Sequence, residues 1–174
     1  MSPAHPAAAT AAVTTVATSE GAAEAATIER ALRAAGSPER AAGSQAYLKS
    51  SLEFTGTTVP VVRALLRSWR RDRPYLTRDI LLPVVTALWS PVFECRLSAV
   101  LLLTDRRRLL TAADGGLVED LLRECGTWAL VDPLAADVMG SLVERYPELA
   151  AARSLVQRDK LLAAYRSGHS RKAG

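Results

Sequence analysis

Apolar residues recur along the chain at the spacing of an α-helix rather than at the alternation of a β-strand. In the stretch 60–72, Val62, Leu65, Leu66 and Trp69 fall at positions i, i+3, i+4 and i+7, which places them on one face of a helix. Similar stripes follow one another along the chain, separated by short turns. The pattern predicts an all-α protein built from short amphipathic helices.

Turn and capping residues indicate where these helices begin and end. Ser37 suits an N-terminal cap, Pro38 suits the first helical turn, and Gly36 and Gly126 follow the ends of helical patterns. The predicted helices are 20–35, 38–50, 60–72, 78–89, 91–104, 116–125, 127–146, 147–157 and 159–166.

The helical patterns occupy the middle of the chain. Residues 1–19 are rich in Ala and Thr without periodicity, and 168–174 are basic, so we expect a disordered low-complexity tail and a frayed tail around one helical domain at 20–167. Helices starting near 60, 91 and 127 recur at about 31 and 36 residues, as in stacked helical repeats. The expected fold is a HEAT-like helical-repeat solenoid, an α-α superhelix, with a plain helical bundle as the alternative.

The composition allows a large core and a polyanionic partner. Hydrophobic residues make up 49% of the chain, and the net charge is +4 with a pI near 9.4. A mild basic excess is compatible with nucleic acid binding. No apolar run approaches the ~18–20 residues that a membrane-spanning helix needs.

The basic excess is concentrated in two arginine-rich stretches. Four arginines lie opposite the apolar stripe of helix 60–72, and three more follow helix 91–104. Arginine binds phosphate well because its planar guanidinium donates two hydrogen bonds at once. A solvated helix face and cations at a helix C-terminus explain the same stretches equally simply. The residues concerned are Arg63, Arg67, Arg70, Arg71, Arg106, Arg107 and Arg108.

The positions of the cysteines and histidines limit the kinds of site that the chain can form. Cys95 and Cys125 each fall in an apolar helical pattern, and no secretory segment precedes them, so we expect reduced thiols in a cytoplasmic protein. The only histidines are His5 and His169, near the two ends. This argues against a Ser-His-Asp triad, a histidine zinc site and a histidine general base, and we expect neither a metal nor a cofactor.

The stretch 127–146 carries the most distinctive pair of residues. Trp128 and Asp132 are four residues apart, which places them on one face of a helix. An aromatic ring beside a carboxylate suits chemistry on a flat cationic substrate. The alternative is a core tryptophan next to a capping aspartate. Pro133 disfavours helical dihedrals in the preceding residue, so Asp132 could instead cap a restarting helix.

Three stretches together resemble the DNA alkylation repair family, whose members include AlkD-type DNA glycosylases with HEAT-like α-solenoid folds. YLKSSLEFTGTTVPVVR, at 47–63, is similar to the family's Tyr-x-Lys, Phe-x-Gly loop and following Pro and Arg. ALWSPVFECRLSAVLLL, at 87–103, resembles its Leu-Trp-x-Ser-x-x-x-Glu-x-Arg segment. TWALVD, at 127–132, matches its Trp-x-x-Val-Asp signature. The order and spacing of the three extend the resemblance over roughly 27–150.

The resemblance implies removal of alkylated purines from duplex DNA by cleavage of the N-glycosidic bond. It assigns Trp128 and Asp132 to the catalytic cleft and Tyr47 to its lining. Tyr47, Lys49 and the seven arginines above are then the expected DNA-binding residues. Duplex DNA is the expected partner.

One family feature is missing after Trp128. The resemblance implies a later Trp followed by paired Arg, which forms the opposite wall of the cleft, and no such segment precedes Gly174. The chain is therefore expected to be shorter at its C-terminal end than its relatives. Two alternatives to a glycosylase follow, a non-catalytic DNA-binding repeat module and a helical scaffold that binds protein.

Overall fold

Helices follow one another along the part of the chain that the computed structural model describes, which is the backbone of 7–151 and the side chains of 19–150. The helices are α1 (Ala7–Ala35), α2 (Pro38–Leu48), α3 (Val59–Arg71), α4 (Arg78–Leu88), α5 (Phe93–Arg106), α6 (Gly115–Glu124), α7 (Trp128–Pro133), α8 (Gly140–Arg145) and α9 (Glu148–Ala151). Two 3₁₀ turns, Arg107–Leu109 and Ala112–Asp114, join α5 to α6, and a π-helical segment, Leu134–Met139, joins α7 to α8.

The expected all-α helical-repeat fold is confirmed. Within 7–151, extended pairing is limited to an isolated parallel bridge between Glu53 and Val92. The assignment to the HEAT type in particular, and the domain limits, stay predictions. The predicted helix at 159–166, the end of the one at 147–157 and the basic tail lie outside the described residues.

Two helix starts differ from the prediction by more than one residue. α1 begins at Ala7 rather than at 20, because alanine favours helix by propensity even where no apolar stripe marks it. α5 begins at Phe93 rather than at Pro91. The residues before it are extended, since the backbone amide of Glu53 donates to the Pro91 carbonyl (3.0 Å) and the Glu53 carbonyl accepts from the Phe93 amide (2.8 Å).

The core forms where α1, α4 and α5 meet. Leu81, Val84, Val85 and Leu88 form the buried stripe of α4. Ile80 lies in the predicted helix 78–89 but is 45% exposed, because it lies one residue out of phase with the i, i+3, i+4, i+7 pattern. Ala135, in the predicted helix 127–146, is also exposed.

Close approach of α1 to α4 depends on a glycine. A Cβ atom added at Gly21 would lie 2.6 Å from the Cβ of Pro83, which sits inside α4. No side chain fits there without moving a helix. The two elements therefore pack backbone to ring at this crossing.

The two cysteines are free thiols in the core, as predicted. Burial raises the pKa of Cys95 and that of Cys125 to about 12. Both thiols are therefore protonated at neutral pH, and packing accounts for them. Trp69 is buried as expected, and Trp89 is partly buried against the same core.

Candidate functional site

Helix α7 holds Trp128 and Asp132 one turn apart. Thr127 caps its N-terminus, with extended dihedrals (φ −158°, ψ 145°) and a side-chain oxygen that accepts from the Ala129 amide. The chain stays helical through Pro133 (φ −68°, ψ −35°). The alternative in which Asp132 caps a restarting helix is therefore wrong.

The π-helical segment after Pro133 explains how the helix continues. A proline inside a helix lacks an amide hydrogen and crowds the carbonyl four residues earlier. Here the Leu134 amide is shared between the Leu130 and Val131 carbonyls, and the Gly140 amide donates to Ala135, five residues back. The helical run therefore continues past the proline without a break. Short π segments of this kind are frequent at functional sites.

The carboxylate of Asp132 has one buried oxygen without a protein partner. Within the described side chains and backbone, Asp132 Oδ1 is inaccessible and accepts no hydrogen bond. Leaving such an acceptor unsatisfied costs about 1–3 kcal/mol. Asp132 therefore does not cap a helix, and the acceptor capacity of this oxygen is not used by any group that the structure describes.

An aromatic pair spans α2 and α7. The rings of Tyr47 and Trp128 lie edge to face, with centroids 6.4 Å apart and planes at 72°. Tyr47 is 67% exposed near the end of α2, whereas Trp128 is partly buried. Lys49 follows in a left-handed conformation (φ 48°) that ends the helix. The predicted Tyr47 and Trp128 are therefore neighbours in space.

Glu94 anchors the loop that precedes α3. Its buried carboxylate accepts hydrogen bonds from the amides of Thr55 and Gly56, both at 2.8 Å. Gly56 has φ 75°, and a Cβ there would lie 2.1 Å from the Ser37 carbonyl oxygen, so only glycine fits. The loop in turn fixes the start of α2, because Arg40 donates to the Gly56 carbonyl at 2.9 Å.

Arg96 anchors the turn before α7, as Glu94 anchors the loop before α3. Its guanidinium donates to the Ser90 carbonyl at 2.6 Å and to the Glu124 carbonyl, just before the turn that leads into Trp128. It also lies over the Trp89 ring at 5.2 Å. In the sequence Glu94 and Arg96 stand out only as motif residues, because most of the groups that they contact lie far away along the chain.

A groove of about 420 Å³ runs between α3, the end of α5 and the start of the π segment. Four guanidinium groups and two carboxylates line it, together with the Thr104 hydroxyl and apolar side chains. The charged residues of the lining are Arg63, Arg67, Arg70, Arg107, Asp105 and Asp137.

The groove keeps an excess of unpaired positive charge. Asp105 forms ion pairs with Arg70 and, at 3.3 Å, with Arg106. Among the side chains that the structure describes, Arg63, Arg67 and Arg107 enter no ion pair. The buried Thr104 hydroxyl has no partner there either. The arrangement suits a polyanion.

The predicted basic residues divide between the groove and other surfaces. Arg63, Arg67, Arg70 and Arg107 line the groove, and Pro133, next to Asp132, lines it too. Arg71, Arg106, Arg108 and Lys49 do not belong to its lining. Thus about half of the predicted basic set converges on one surface near the catalytic candidate.

The described residues provide neither a metal-binding cluster nor a membrane-spanning helix. No group of three His, Cys, Asp or Glu side chains among them is placed to hold a metal ion. None of their helices is long and apolar enough to cross a bilayer.

These features define a class, an all-α helical-repeat protein with a basic groove whose lining includes Pro133, the residue after Asp132. A model of the family described as "DNA alkylation repair enzyme" matches residues 28–164, which is most of the chain. The chain therefore belongs to the DNA alkylation repair family. Membership supports a role in DNA repair with DNA as the partner. No curated protein matches the sequence significantly.

Proposed function

We propose that the protein is a DNA glycosylase that hydrolyses the N-glycosidic bond of cationic alkylated purines in duplex DNA. The observation that carries the proposal is the carboxylate of Asp132. Its buried oxygen lacks a partner in the described part of the chain, and it lies one helical turn from Trp128 and next to a lining residue of the arginine groove.

The chemistry requires little from the protein. Alkylation of a purine ring nitrogen leaves the base positively charged and therefore a good leaving group. The bond from C1′ to N9 breaks with its electron pair going to the base, which becomes neutral. Water then bonds to C1′ and loses a proton. Positive charge develops on the sugar in between, and a fixed carboxylate at Asp132 stabilises it and orients the water.

The aromatic pair fits the same substrate. A cation over an aromatic face gains about 0.5–2 kcal/mol, so the Trp128 ring favours a cationic purine over a neutral one. Its remaining surface can pack on the deoxyribose. Tyr47, in edge contact with Trp128, supports the ring from α2.

The groove supplies affinity without sequence preference. Arg63, Arg67 and Arg107 can each neutralise a backbone phosphate, which releases counterions and makes binding depend steeply on salt. Phosphate contacts of this type orient the duplex but do not select a sequence. Selection of the lesion then rests on the charge of the base.

A base-release assay with two carboxylate variants tests the proposal. Purified protein is incubated with methylated duplex DNA, and free methylated purine is quantified by chromatography. Asp132→Asn removes the charge with almost no change of shape and should slow release roughly 100-fold, as loss of one electrostatic contact to a transition state does. Asp120→Asn, at an exposed position of α6 outside the groove lining, is the matched control and should stay within about threefold.

The outcomes separate the assigned role from the assigned activity. If the unaltered protein released no methylated purine, the glycosylase proposal would be wrong. Duplex binding without base release would favour the non-catalytic DNA-binding module. Equal release by Asp132→Asn and the unaltered protein would remove Asp132 from the mechanism while leaving the activity.

A further inference from the structure

Arg145, at the end of α8, makes an unusual group of contacts. Its Nη2 donates to the Arg107 carbonyl at 2.8 Å, and its Nη1 donates to the carbonyls of Leu110 (3.1 Å) and Arg108 (3.4 Å). Its Nε donates to the Ser141 carbonyl at 3.2 Å. All of these acceptors are neutral, and Arg145 enters no ion pair with a described carboxylate.

The 3₁₀ turn after α5 depends on such contacts. Carbonyls at a helix end lack intrahelical donors and must find partners elsewhere. Within the turn, the Leu110 amide bonds to the Arg107 carbonyl at 3.2 Å. The guanidinium of Arg145 satisfies three carbonyls of this turn from the outside. Without Arg145, the backbone at Arg107 would be held mainly by hydrogen bonds within the turn itself.

The same contact joins two sides of the groove. Arg107 contributes from the turn, and Pro133 and Asp137 contribute from the opposite element. That element continues without interruption into α8, which carries Arg145. One side chain therefore ties the arginine turn to the helical run that also contains Asp132.

We propose that Arg145 is a positioning residue for phosphate binding, which acts by holding the turn that presents Arg107 to the groove. This rests on the proposed function, in which the groove binds the backbone of duplex DNA. Arg145 itself does not line the groove. Its effect on affinity therefore passes through Arg107.

A lysine replacement isolates this role from charge. Arg145→Lys keeps the positive charge but loses the planar fork that reaches several carbonyls at once. We expect duplex affinity to fall roughly three- to tenfold at moderate salt, with the slope of log K against log salt smaller by about one, the contribution of one phosphate contact. Arg123→Lys is the matched control, since among the described residues Arg123 pairs only with Glu119 and Asp120 on its own helix.

A double-mutant cycle with Arg107→Gln gives the decisive comparison. If Arg145 acts through Arg107, the loss caused by Arg107→Gln should nearly vanish in the Arg145→Lys background. Hydrogen exchange at the Leu110 amide should become faster in Arg145→Lys and stay unchanged in Arg123→Lys. If Arg145 only stabilised the fold, Arg145→Lys would lower thermal stability, but the salt slope would stay unchanged. The losses of affinity in the cycle would then be additive.

Each result decides the matter. A coupled cycle with a reduced salt slope supports the positioning role. Additive losses, or an unchanged slope in Arg145→Lys, overturn it while leaving DNA binding intact. Failure of the unaltered protein to bind duplex DNA at low salt would overturn the proposed function and this inference together. If Arg145→Lys fails to fold, Arg145→Gln carries the same cycle, and an additive result there overturns the inference as well.

Discussion

The arginines around α3 and α4 divide into two kinds according to what faces them. Arg73 donates to Glu24, which also accepts from Trp69 Nε1 at 2.8 Å, and Arg78 donates to Asp114, whose side chain is only 3% exposed. Arg63 and Arg67, on the groove side of α3, meet no carboxylate within the described residues at ion-pair distance. The same residue type therefore serves two different tasks.

The difference predicts which substitutions should lower stability and which should weaken DNA binding. Removing the cation from a pair whose carboxylate is buried leaves an uncompensated charge in the protein, which costs stability. Removing an exposed cation with no partner costs little stability but weakens any contact with a polyanion. Stability and DNA affinity should therefore respond to opposite groups of arginines.

The largest expected effect is on folding. Arg78→Gln should lower the free energy of unfolding by about 2–3 kcal/mol, below the 3–5 kcal/mol of a fully buried pair because Arg78 is partly exposed. Urea denaturation at pH 7 measures the loss. DNA affinity should stay within about twofold. A loss below about 0.5 kcal/mol would place Arg78 with the exposed arginines and erase the distinction.

The pH dependence of stability should report the same pair. Burial acts to raise the pKa of the Asp114 carboxyl, but hydrogen bonds from Arg78 and from Thr111 outweigh it and hold the pKa below its usual value. A folded-state pKa below the unfolded one gives stability that is complete above the unfolded value, near 4. It is lost as pH falls through the folded value.

Denaturation curves below pH 5 test this sign. The unaltered protein should lose stability toward acid more steeply than Arg78→Gln, because the variant has already lost the interaction that depresses the pKa. Parallel losses in the two proteins would show that Asp114 does not depend on Arg78.

Removing the two unpaired groove arginines should have the reverse profile. Arg63→Gln/Arg67→Gln should weaken duplex binding about tenfold and lower the salt slope by about two, since each arginine accounts for roughly one phosphate. Unfolding free energy should change by less than about 0.5 kcal/mol. Fluorescence anisotropy titrations across salt concentrations measure the first, and urea denaturation the second. Unchanged anisotropy would remove the groove from the DNA interface.

The smallest effect should come from Arg71. It is exposed on α3 but does not line the groove, so Arg71→Gln should change affinity by less than about twofold. The same titrations compare it with Arg67→Gln. Equal losses would extend the interface beyond the groove and return Arg71 to the predicted binding set.

Periodicity predicted most of the helices because burial acts on one face at a time. Ser37 caps α2 through the Arg40 amide, as its position in the sequence indicated, and Thr127 caps α7 through the Ala129 amide. Periodicity did not predict the exposure of Ile80, because a run of consecutive apolar residues leaves the phase of the buried stripe ambiguous by one position. Pro133 was ambiguous for a different reason, since the residue before a proline only tends to avoid helical dihedrals, and here the chain stays helical through the proline.

The residues of the candidate site could be named from the sequence, but the residues that support them could not. Trp128, Asp132 and Tyr47 stood out by residue type and by family resemblance, and the structure brings Tyr47 against Trp128. The contacts of Glu94 with the loop at 55–56 and of Arg145 with the turn after α5 bridge nearly forty residues of sequence. Such contacts depend on how whole helices pack, which no local pattern records.

Cleavage of the glycosidic bond by this chain is the claim most directly open to measurement. Unaltered protein in excess over a methylated duplex should, in a single turnover, release methylated purine and create abasic sites in equal numbers. An unmethylated duplex of the same sequence should yield neither. Methylated duplex that is bound, yet accumulates abasic sites no faster than without protein, would contradict the account.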